Sequence, residues 1–433
     1  MIPGDIPLWI VLVWLFVLGS VIGSFLNVCI YRLPHHEHLW AQLVGLTHPP
    51  SSCPYCKNRI QGRDNIPVLG WLILRGRCRL CRHSIPPRYA LIEFFNGLLW
   101  VALYVAIVPS GYGAKASDSC LWSAIGPLAN AMLDHDQIVF LLHAQYFYFL
   151  VLAEALLVAT FIDFDLQIIP DGSTVPALIV GLLGAFVIGD LHLWPVWFQS
   201  SSTLQTLQHV TPEWMHWMMR GPDRPAWLAA HSHLHGLLSS LAGMVVGGGV
   251  IWVLRVVGHW AWRREVMGFG DVILMAMIGS FLGWQPTLLV FFVAPFCGLL
   301  ATVASLRLFR AREIPYGPYL SLGALLVLFA WRPYFSYFEN WFALGPLIVV
   351  QAVIMFVLLV ASLLLVRYVK RLMGFQDADE IGFVDEWTSG DQLAFYANKE
   401  PQFGCGEPKE SGWRGTATGQ GRHYSNQWRH GGR

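Results

Sequence analysis

The sequence predicts an all-α polytopic membrane protein of eight to nine transmembrane helices with one small cysteine-rich loop. Its 433 residues are 55% hydrophobic and only 13% charged, whereas soluble domains carry about 25% charged residues. Apolar runs near the membrane-spanning length of about 20 residues recur along the chain. Four of the eight cysteines fall in one basic segment. The net charge of +1 argues against a nucleic-acid partner.

Nine apolar runs are candidate membrane spans. In chain order they cover residues 8–30, 90–108, 143–162, 173–190, 236–258, 272–284, 286–307, 317–332 and 343–368. The sixth run is short, and Gly283-Trp284-Gln285-Pro286 separates it from the seventh. No basic segment precedes the first run and no small-residue cleavage site follows it. We therefore expect it to be a retained helix rather than a cleaved signal peptide.

Basic residues in the connecting segments predict the orientation, because short cytoplasmic loops are enriched in Lys and Arg. Segment 31–89 holds nine basic residues against two acidic ones. It is therefore expected in the cytoplasm, with the N-terminus outside. Counting spans from there also places the basic residues near 263–264, 307–312 and 367–371 inside. The bias is consistent at each of these turns, which supports the span count.

The span pattern divides the chain into five parts. Residues 1–107 hold the first two spans and the cysteine loop, residues 108–142 form an external insertion, and residues 143–332 form the membrane core. A second external insertion, 191–235, interrupts that core, and Trp194, Trp197, Trp214 and Trp217 within it are expected at the membrane interface. Residues 333–372 add a C-terminal span, and the polar tail 373–433 is expected to be disordered in the cytoplasm.

Two aspartates at the edges of apolar runs are the candidate catalytic residues. Asp163 ends the third run within Phe161-Ile162-Asp163-Phe164-Asp165, and Asp271 opens the sixth within Met267-Gly268-Phe269-Gly270-Asp271. A carboxylate at membrane depth is costly and usually functional. The span count places both on the cytoplasmic side. Two neighbouring carboxyls cannot both ionise, so one can take a proton from water while the other donates one.

Other roles for these aspartates remain open at this stage. Asp163 would mark only a helix end and Asp271 would cap a helix N-terminus if neither took part in catalysis. Asp165 is an alternative catalytic acid, although two residues beyond Asp163 it would face elsewhere on a continuing helix. Asp171, between Pro170 and Gly172, is expected to be the N-cap of the fourth span.

The cysteine loop predicts a structural metal site. Cys53, Cys56, Cys78 and Cys81 form two C-x-x-C pairs, a ligand pattern that suits tetrahedral Zn²⁺. A cytosolic location favours metal over a disulfide or redox pair, which is the open alternative. Zinc would stabilise a loop too short to build its own core. His83 is a weaker candidate ligand and is expected to be solvated.

The first span combines small and polar residues. Gly19, Gly23 and Ser24 are expected to allow close packing of helices. Asn27 is expected to bond a neighbouring helix or loop. Glu93, at the start of the second span, is either a simple interfacial residue or a ligand for substrate or cofactor.

Several motifs, taken together in their order, resemble the type IV prepilin leader peptidases, which belong to the G-x-G-D class of aspartyl membrane peptidases. The matching segments are Gly23–Pro34, the two cysteine pairs, Asn65-Ile66-Pro67, Arg88–Glu93, the FIDFD and PD segment, the GFGD segment and Ile314–Tyr319. The resemblance covers residues 8–107, 145–190 and 236–330. The two insertions, the ninth span and the tail depart from the family pattern without touching these motifs.

The resemblance implies an endopeptidase that removes the leader of type IV prepilins or type II secretion pseudopilins. By residue matching, Asp163 and Asp271 fall on the family's catalytic aspartates. Many members also methylate the new N-terminal amine with S-adenosylmethionine, and the N-terminal region associated with that activity is present. The family implies the bacterial inner membrane, with the lipid bilayer and the prepilin as partners and the active site at the cytoplasmic face.

Two other classes of function are compatible with parts of the pattern. An ion-coupled transporter or channel could use intramembrane carboxylates as a relay. The absence of an inverted repeat of broken helices in the sequence, and the placement of both acids at one face, argue against that class. A zinc-dependent assembly factor without catalysis would require the cysteines and not the aspartates.

Overall fold

The computed structural model is all-helical apart from two isolated β-bridges. It describes residues 7–36, 38–47, 51–53, 55–108, 119, 121, 134–189, 191–196, 201–209, 211–214, 216, 231–262, 267–308, 315–342 and 347–372. The α-helices in this part of the chain are α1 Leu8–Arg32, α2 Leu39–Gly45, α3 Leu69–Ile73, α4 Arg88–Ile107, α5 His135–Leu166, α6 Asp171–Ile188, α7 Ser201–Gln208, α8 Ser232–Trp262, α9 Phe269–Leu282, α10 Trp284–Leu308, α11 Gly317–Phe329, α12 Trp331–Phe342 and α13 Leu347–Leu372.

The chain is a multi-pass membrane protein. Within the described residues, six helices are long and apolar enough to cross a bilayer by length and composition, namely α1, α4, α5, α6, α8 and α10. Shorter apolar stretches lie in α9, α11 and α13. Each of the nine predicted runs therefore corresponds to an apolar helix, and the all-helical prediction is confirmed.

Helix α5 is the centre of the bundle. It packs against α6 and α11 in the core and against α1 and α4 from the N-terminal unit. Buried residues occur on every side of it, among them Tyr146, Phe149, Leu152 and Ile162, which is typical of a helix enclosed by others. A capping box between Asp134 and Gln137 begins the helix. The structure therefore places the C-terminal end of α5, which carries Asp163, among several helix ends.

Glycines set the closest helix contacts. A Cβ on Gly243 of α8 would overlap the Gly279 carbonyl oxygen of α9, and the reverse is also true. A Cβ on Gly19 would lie 2.7 Å from the Trp100 ring of α4. These contacts confirm the expected close packing of small residues in the membrane. Asn27 donates to the Tyr89 carbonyl at 3.1 Å, as expected for a polar residue between helices.

The segment that follows α6 returns into the bundle. Trp194 is only 1% exposed and packs against the rings of Trp331 and Phe342. Gln285 donates to the Pro195 carbonyl at 2.8 Å. The prediction that Trp194 lies in an interfacial aromatic belt is therefore wrong, because helix α12 covers it. Trp214 is exposed, and Trp197 and Trp217 lie outside the described residues.

The pattern of apolar runs in the sequence does not predict helix α12. It buries Trp331 and Phe342 while Tyr337 is 82% exposed. The helix has 12 residues, which is shorter than a membrane span. It also mixes apolar and polar residues, so hydropathy does not reveal its one apolar face. The other expectations for the insertion 108–142 and the tail 373–433 concern residues largely or wholly outside those described.

Candidate active site

Asp163 lies in the last turn of α5 and is nearly buried, with 4% of its surface exposed. Its Oδ2 accepts the backbone N–H of Gly317, the first residue of α11, at 3.1 Å. A Cβ on Gly317 would lie 2.5 Å from that oxygen, so glycine is required for the approach. An unpaired N–H at a helix start is a favourable donor to a carboxylate. Gly317 of the late P-x-G-P motif thus contacts Asp163 directly.

Asp271 lies in the first turn of α9. Gly268 is the N-cap of this helix, and its backbone N–H group hydrogen-bonds to the Asp271 carboxyl. Asp271 is therefore the third helical residue and not the N-cap itself, but its carboxyl takes part in capping the helix, as the alternative role expected. The carboxyl still closes the helix start from within, as the acidic partner in a capping box does.

Neighbouring groups hold the segment that leads into α9. Arg255 of α8 donates through Nε to the Met267 carbonyl at 3.1 Å, and its guanidinium lies 5.6 Å from the centre of the Phe269 ring. A Cβ on Gly270 would lie 2.9 Å from the Cβ of Ile169. The G-x-G-D turn is therefore packed tightly against the chain that follows α5.

The fold brings the two aspartate segments together. Asp163 accepts the N–H of Gly317, and Asp271 directly follows Gly270 in the chain. Ile169 fills the space beside both aspartate segments, since it is close to Gly270 and to Gly317. The end of α5 and the starts of α9 and α11 thus meet at one place. Two adjacent, mostly buried carboxyls can share a proton and act on a water molecule.

The other two aspartates have different surroundings. Asp165 forms an ion pair with Arg88 at 2.7 Å, and Arg88 lies 5.0 Å from the centre of the Phe161 ring. Asp171 is the first residue of α6, while Pro170 is the N-cap and no side-chain cap is present. The prediction that Asp171 is the N-cap is therefore wrong, because the N-cap lies one residue earlier, at Pro170. The ion pair with Arg88 favours a structural role for Asp165.

The Arg88–Asp165 pair joins the N-terminal unit to the helix that carries Asp163. We expect Asp165→Ala to destabilise the protein by about 3 kcal/mol, because it leaves a largely buried arginine without its carboxylate. Activity at the aspartate pair should fall in parallel, since the end of α5 loses its ion pair with the start of α4. The measurement is thermal unfolding in detergent together with the cleavage rate. If Asp165→Asn abolished cleavage without changing the stability of the protein, that result would instead place Asp165 in the chemistry.

The two cysteine pairs adopt the same turn. The N–H of Cys53 donates to the Asn58 carbonyl at 2.9 Å and that of Cys78 to the His83 carbonyl at 2.8 Å. The residue after each second cysteine is left-handed, with φ of 58° at Lys57 and 59° at Arg82. The isolated bridges close the turns, one in each pair. Two equivalent knuckles therefore face each other.

The four sulfur atoms form one cluster, all within 4.8 Å of one another. Cys53 Sγ and Cys81 Sγ are 3.7 Å apart, whereas a disulfide requires about 2 Å. Sulfur ligands at about 2.3 Å from a tetrahedral ion lie about 3.8 Å from each other. A backbone hydrogen bond from Asn58 lowers the pKa of the Cys56 thiol to about 7, which favours the thiolate that binds metal. The cluster therefore fits a metal ion. His83 stacks on Tyr55 instead.

Sequence reasoning missed the residues that support the site. Arg255 is the single Lys, Arg, Asp or Glu residue of the apolar helix α8, a pattern that indicates a specific partner. Arg88 belongs to the matched Arg88–Glu93 motif, but its pairing with Asp165 was not predicted. Gln42, on the short helix α2, donates to the His36 carbonyl and accepts the N–H of Gly172 at 2.6 Å. No sequence pattern links α2 to the start of α6.

Comparison with known proteins gives two family matches. The profile described as "Bacterial Peptidase A24 N-terminal domain" matches residues 17–107. The profile described as "Type IV leader peptidase family" matches residues 226–303. The first contains the four cysteines and the second contains Asp271, while Asp163 lies between the two matched segments.

Full-length relatives extend the match. A protein of Stutzerimonas stutzeri, named "Prepilin leader peptidase/N-methyltransferase", is 30% identical over 332 residues, which cover 72% of this chain and 88% of that protein. The chain belongs to the type IV leader peptidase family. An Aeromonas hydrophila protein of the same name is 28% identical, covering 74% of this chain and 91% of that relative.

A third family relative comes from Escherichia coli O78:H11. It is named "Type 4 prepilin-like proteins leader peptide-processing enzyme" and is 29% identical, covering 72% of this chain and 91% of that protein. No solved structure matches this chain. The resemblance inferred from the motifs is thus confirmed at the level of the family.

Proposed function

We propose that this family member is a membrane aspartyl endopeptidase that removes the leader from type IV prepilins or type II secretion pseudopilins. Its family membership supports the activity, and the names of the relatives support the substrate class. The observation that carries the catalytic assignment is that the segments of Asp163 and Asp271, far apart in sequence, pack together around Ile169. A structural role alone would not require two mostly buried carboxyls to approach each other.

In the proposed reaction, the ionised carboxyl of the pair takes a proton from water as the water oxygen attacks the scissile carbonyl carbon. The protonated carboxyl hydrogen-bonds to the carbonyl oxygen and stabilises the tetrahedral intermediate. The C–N bond then breaks, and a proton passes to the leaving amine. The Gly317 and Gly268 N–H groups hold the two side chains in place. Both are on helix starts, so the donors are fixed by the backbone.

The substrate would lie partly in the bilayer. A prepilin has a short basic leader followed by an apolar helix, and that helix can pack beside the spans with the cut site at the membrane boundary. Asp163 and Asp271 lie at helix ends, which is consistent with such a boundary site. We propose that this boundary is the cytoplasmic face of the bacterial inner membrane and that the N-terminus lies outside. The distribution of Lys and Arg supports this orientation.

Methylation of the new N-terminal amine is the second proposed step. The names of the Stutzerimonas and Aeromonas relatives include this activity, and the matched N-terminal domain is present. S-adenosylmethionine would be a co-substrate of this step. Glu93, considered earlier as a ligand, accepts the Val68 N–H at 2.7 Å, so a structural contact is established for it.

We also propose the domain organisation that the span pattern predicts. The proposed N-terminal unit, 1–107, ends where the matched domain ends. We propose that Cys53, Cys56, Cys78 and Cys81 hold one structural Zn²⁺ there, with the metal supplying four coordinate bonds that stabilise the loop. The peptidase core spans 143–332, with eight to nine membrane helices in the whole chain. The segments 108–142, 191–235, 333–372 and 373–433 remain proposed additions to it.

Mass spectrometry of a co-expressed pilin tests both activities. We expect the mature pilin to lack its leader and to carry one added methyl group at the N-terminus. Cells without this protein provide the control. Retention of the leader when the protein is present in the membrane would contradict the peptidase assignment. Ion flux into proteoliposomes that depended on both aspartates, without cleavage, would support the transporter alternative.

A further inference from the structure

The surface around α3 combines exposed apolar and basic side chains. Leu69, Leu72 and Ile73 are 55%, 54% and 66% exposed, although a five-residue helix usually buries such residues. Arg75 and Arg77 follow directly and are also exposed. We refer to these five residues as the α3 surface. Exposed leucine and isoleucine beside arginine are typical of segments that lie in a membrane interface.

Contacts with α4 give the depth of this surface in the membrane. The Val68 N–H donates to Glu93 at 2.7 Å, and Glu93 lies five residues, about 7 Å, into α4. At the other end, Ile85 donates to the Gly76 carbonyl at 2.7 Å, just before α4 begins at Arg88. The start of α3 therefore lies beside the second turn of a candidate membrane span, and the segment after α3 lies beside the residues that precede that span.

The first turns of α4 also carry exposed apolar side chains. Leu91, Phe94 and Phe95 are 50%, 39% and 58% exposed on a helix that is apolar enough to cross the bilayer. The exposed side chains of α3 continue this apolar surface. Arg75 and Arg77 lie at the end of this apolar surface that would face water, where the chain approaches the start of α4. From the bilayer centre outward, a leaflet has acyl chains and then headgroups. The apolar and basic side chains follow the same order.

A second short helix has the same character. Trp40 and Val44 of α2 are 78% and 51% exposed. Helix α2 is held at the end of α1, because Arg32 donates to the Leu46 carbonyl at 3.0 Å. The end of α1 lies beside the start of α4, as the Asn27–Tyr89 bond requires. Two short helices at one membrane boundary thus present apolar side chains outward.

We propose that the α3 surface docks the cysteine loop into the adjacent leaflet by binding anionic phospholipid headgroups. Leu69, Leu72 and Ile73 enter the interface, and Arg75 and Arg77 contact the phosphates. The excess of nine basic over two acidic residues in segment 31–89 is complementary to anionic lipid and unfavourable for a basic peptide. Within the described loop, the ion pair between Arg79 and Asp64 does not involve Arg75 or Arg77.

Photo-crosslinking in nanodiscs tests this docking. The full-length protein is reconstituted in phosphatidylcholine with a trace of a photoactivatable phosphatidylglycerol or phosphatidylcholine probe, and labelled peptides are mapped by mass spectrometry. We expect residues 66–77 to be labelled, with a preference for the phosphatidylglycerol probe that weakens as salt is added. Replacing Arg75 and Arg77 by Gln should lower this preference by up to about fivefold per arginine.

Matched variants separate lipid docking from general charge. Leu72→Ser with Ile73→Ser should reduce labelling of 66–77 by both probes, because it removes the inserted side chains. Arg59→Gln with Arg63→Gln removes the same charge elsewhere on the loop and should leave the preference nearly unchanged. The proposal is overturned if 66–77 is not labelled in the unmodified protein, as expected when another protein covers α3. It is also overturned if the Arg59 and Arg63 changes abolish the preference equally.

Discussion

Asp163→Asn and Asp271→Asn are each expected to abolish leader cleavage, with a loss of at least about 100-fold, the usual contribution of a general acid or base. Asparagine has nearly the same shape as aspartate and can still accept the Gly317 or Gly268 N–H group. It can neither take a proton from water nor deliver one to the leaving amine. The measurement is the rate at which purified protein in detergent cleaves a prepilin. The double variant should be no less active than either single variant, because the two residues act as a unit.

Stability is the necessary control for this prediction. Replacing one of the two buried carboxyls by a neutral amide should leave the melting temperature unchanged or raise it, since burying an ionisable group is costly. Phe164→Ala, beside Asp163 but with an exposed side chain, serves as a matched variant that should remain active. An Asp163→Asn or Asp271→Asn protein that is folded and cleaves at the normal rate would remove that residue from the catalytic pair.

Cys78→Ser is expected to have the second largest effect, through the metal cluster. Loss of one of four thiolates should weaken metal binding enough to remove most of the bound zinc. Structural zinc contributes on the order of 10 kcal/mol to the folding of small loops, so the loop should lose stability with it. Segment 51–85 is too small to remain ordered without it. The measurement is zinc content by elemental mass spectrometry together with limited proteolysis of that segment. Cleavage at 51–85 should become much faster.

Cys297→Ser is the matched control for the zinc prediction. Cys297 is a free, buried cysteine of α10, distant in sequence from the knuckles, so its replacement should leave the zinc content unchanged. Equal zinc loss in both variants would indicate a general effect of removing a thiol. Full zinc retention in Cys78→Ser would contradict the four-thiolate site. Retained zinc after mild reduction would in turn exclude an oxidised pair as the source of stability.

Local patterns in the sequence were sufficient for most of the helices. Apolar runs such as 8–30 and 90–108 predicted α1 and α4 because membrane helices must be long and apolar regardless of their neighbours. The C-x-x-C spacing predicted the cysteine cluster because each pair is completed by a turn of adjacent residues. Helix α12 and the burial of Trp194 could not be predicted in this way, since each depends on the other.

The candidate site shows the same division. The sequence singled out Asp163 and Asp271 from their position at the edges of apolar runs, and the four cysteines from their spacing. It could not show that Gly317 would donate to Asp163, or that Arg88 would pair with Asp165. These partners are 154 and 77 residues apart in the chain, and no local rule connects such positions.

The sequence by itself thus determined the class of protein, the family, the apolar helices and the candidate residues for the chemistry, because hydropathy, motif order and ligand spacing are local properties. Only the tertiary structure decided that the ends of α5, α9 and α11 meet and that Asp165 is used in an ion pair. It also decided that the start of α3 lies beside the second turn of α4. Such arrangements depend on which helix faces pack together, and glycine contacts between distant segments, such as Gly243 and Gly279, set that packing.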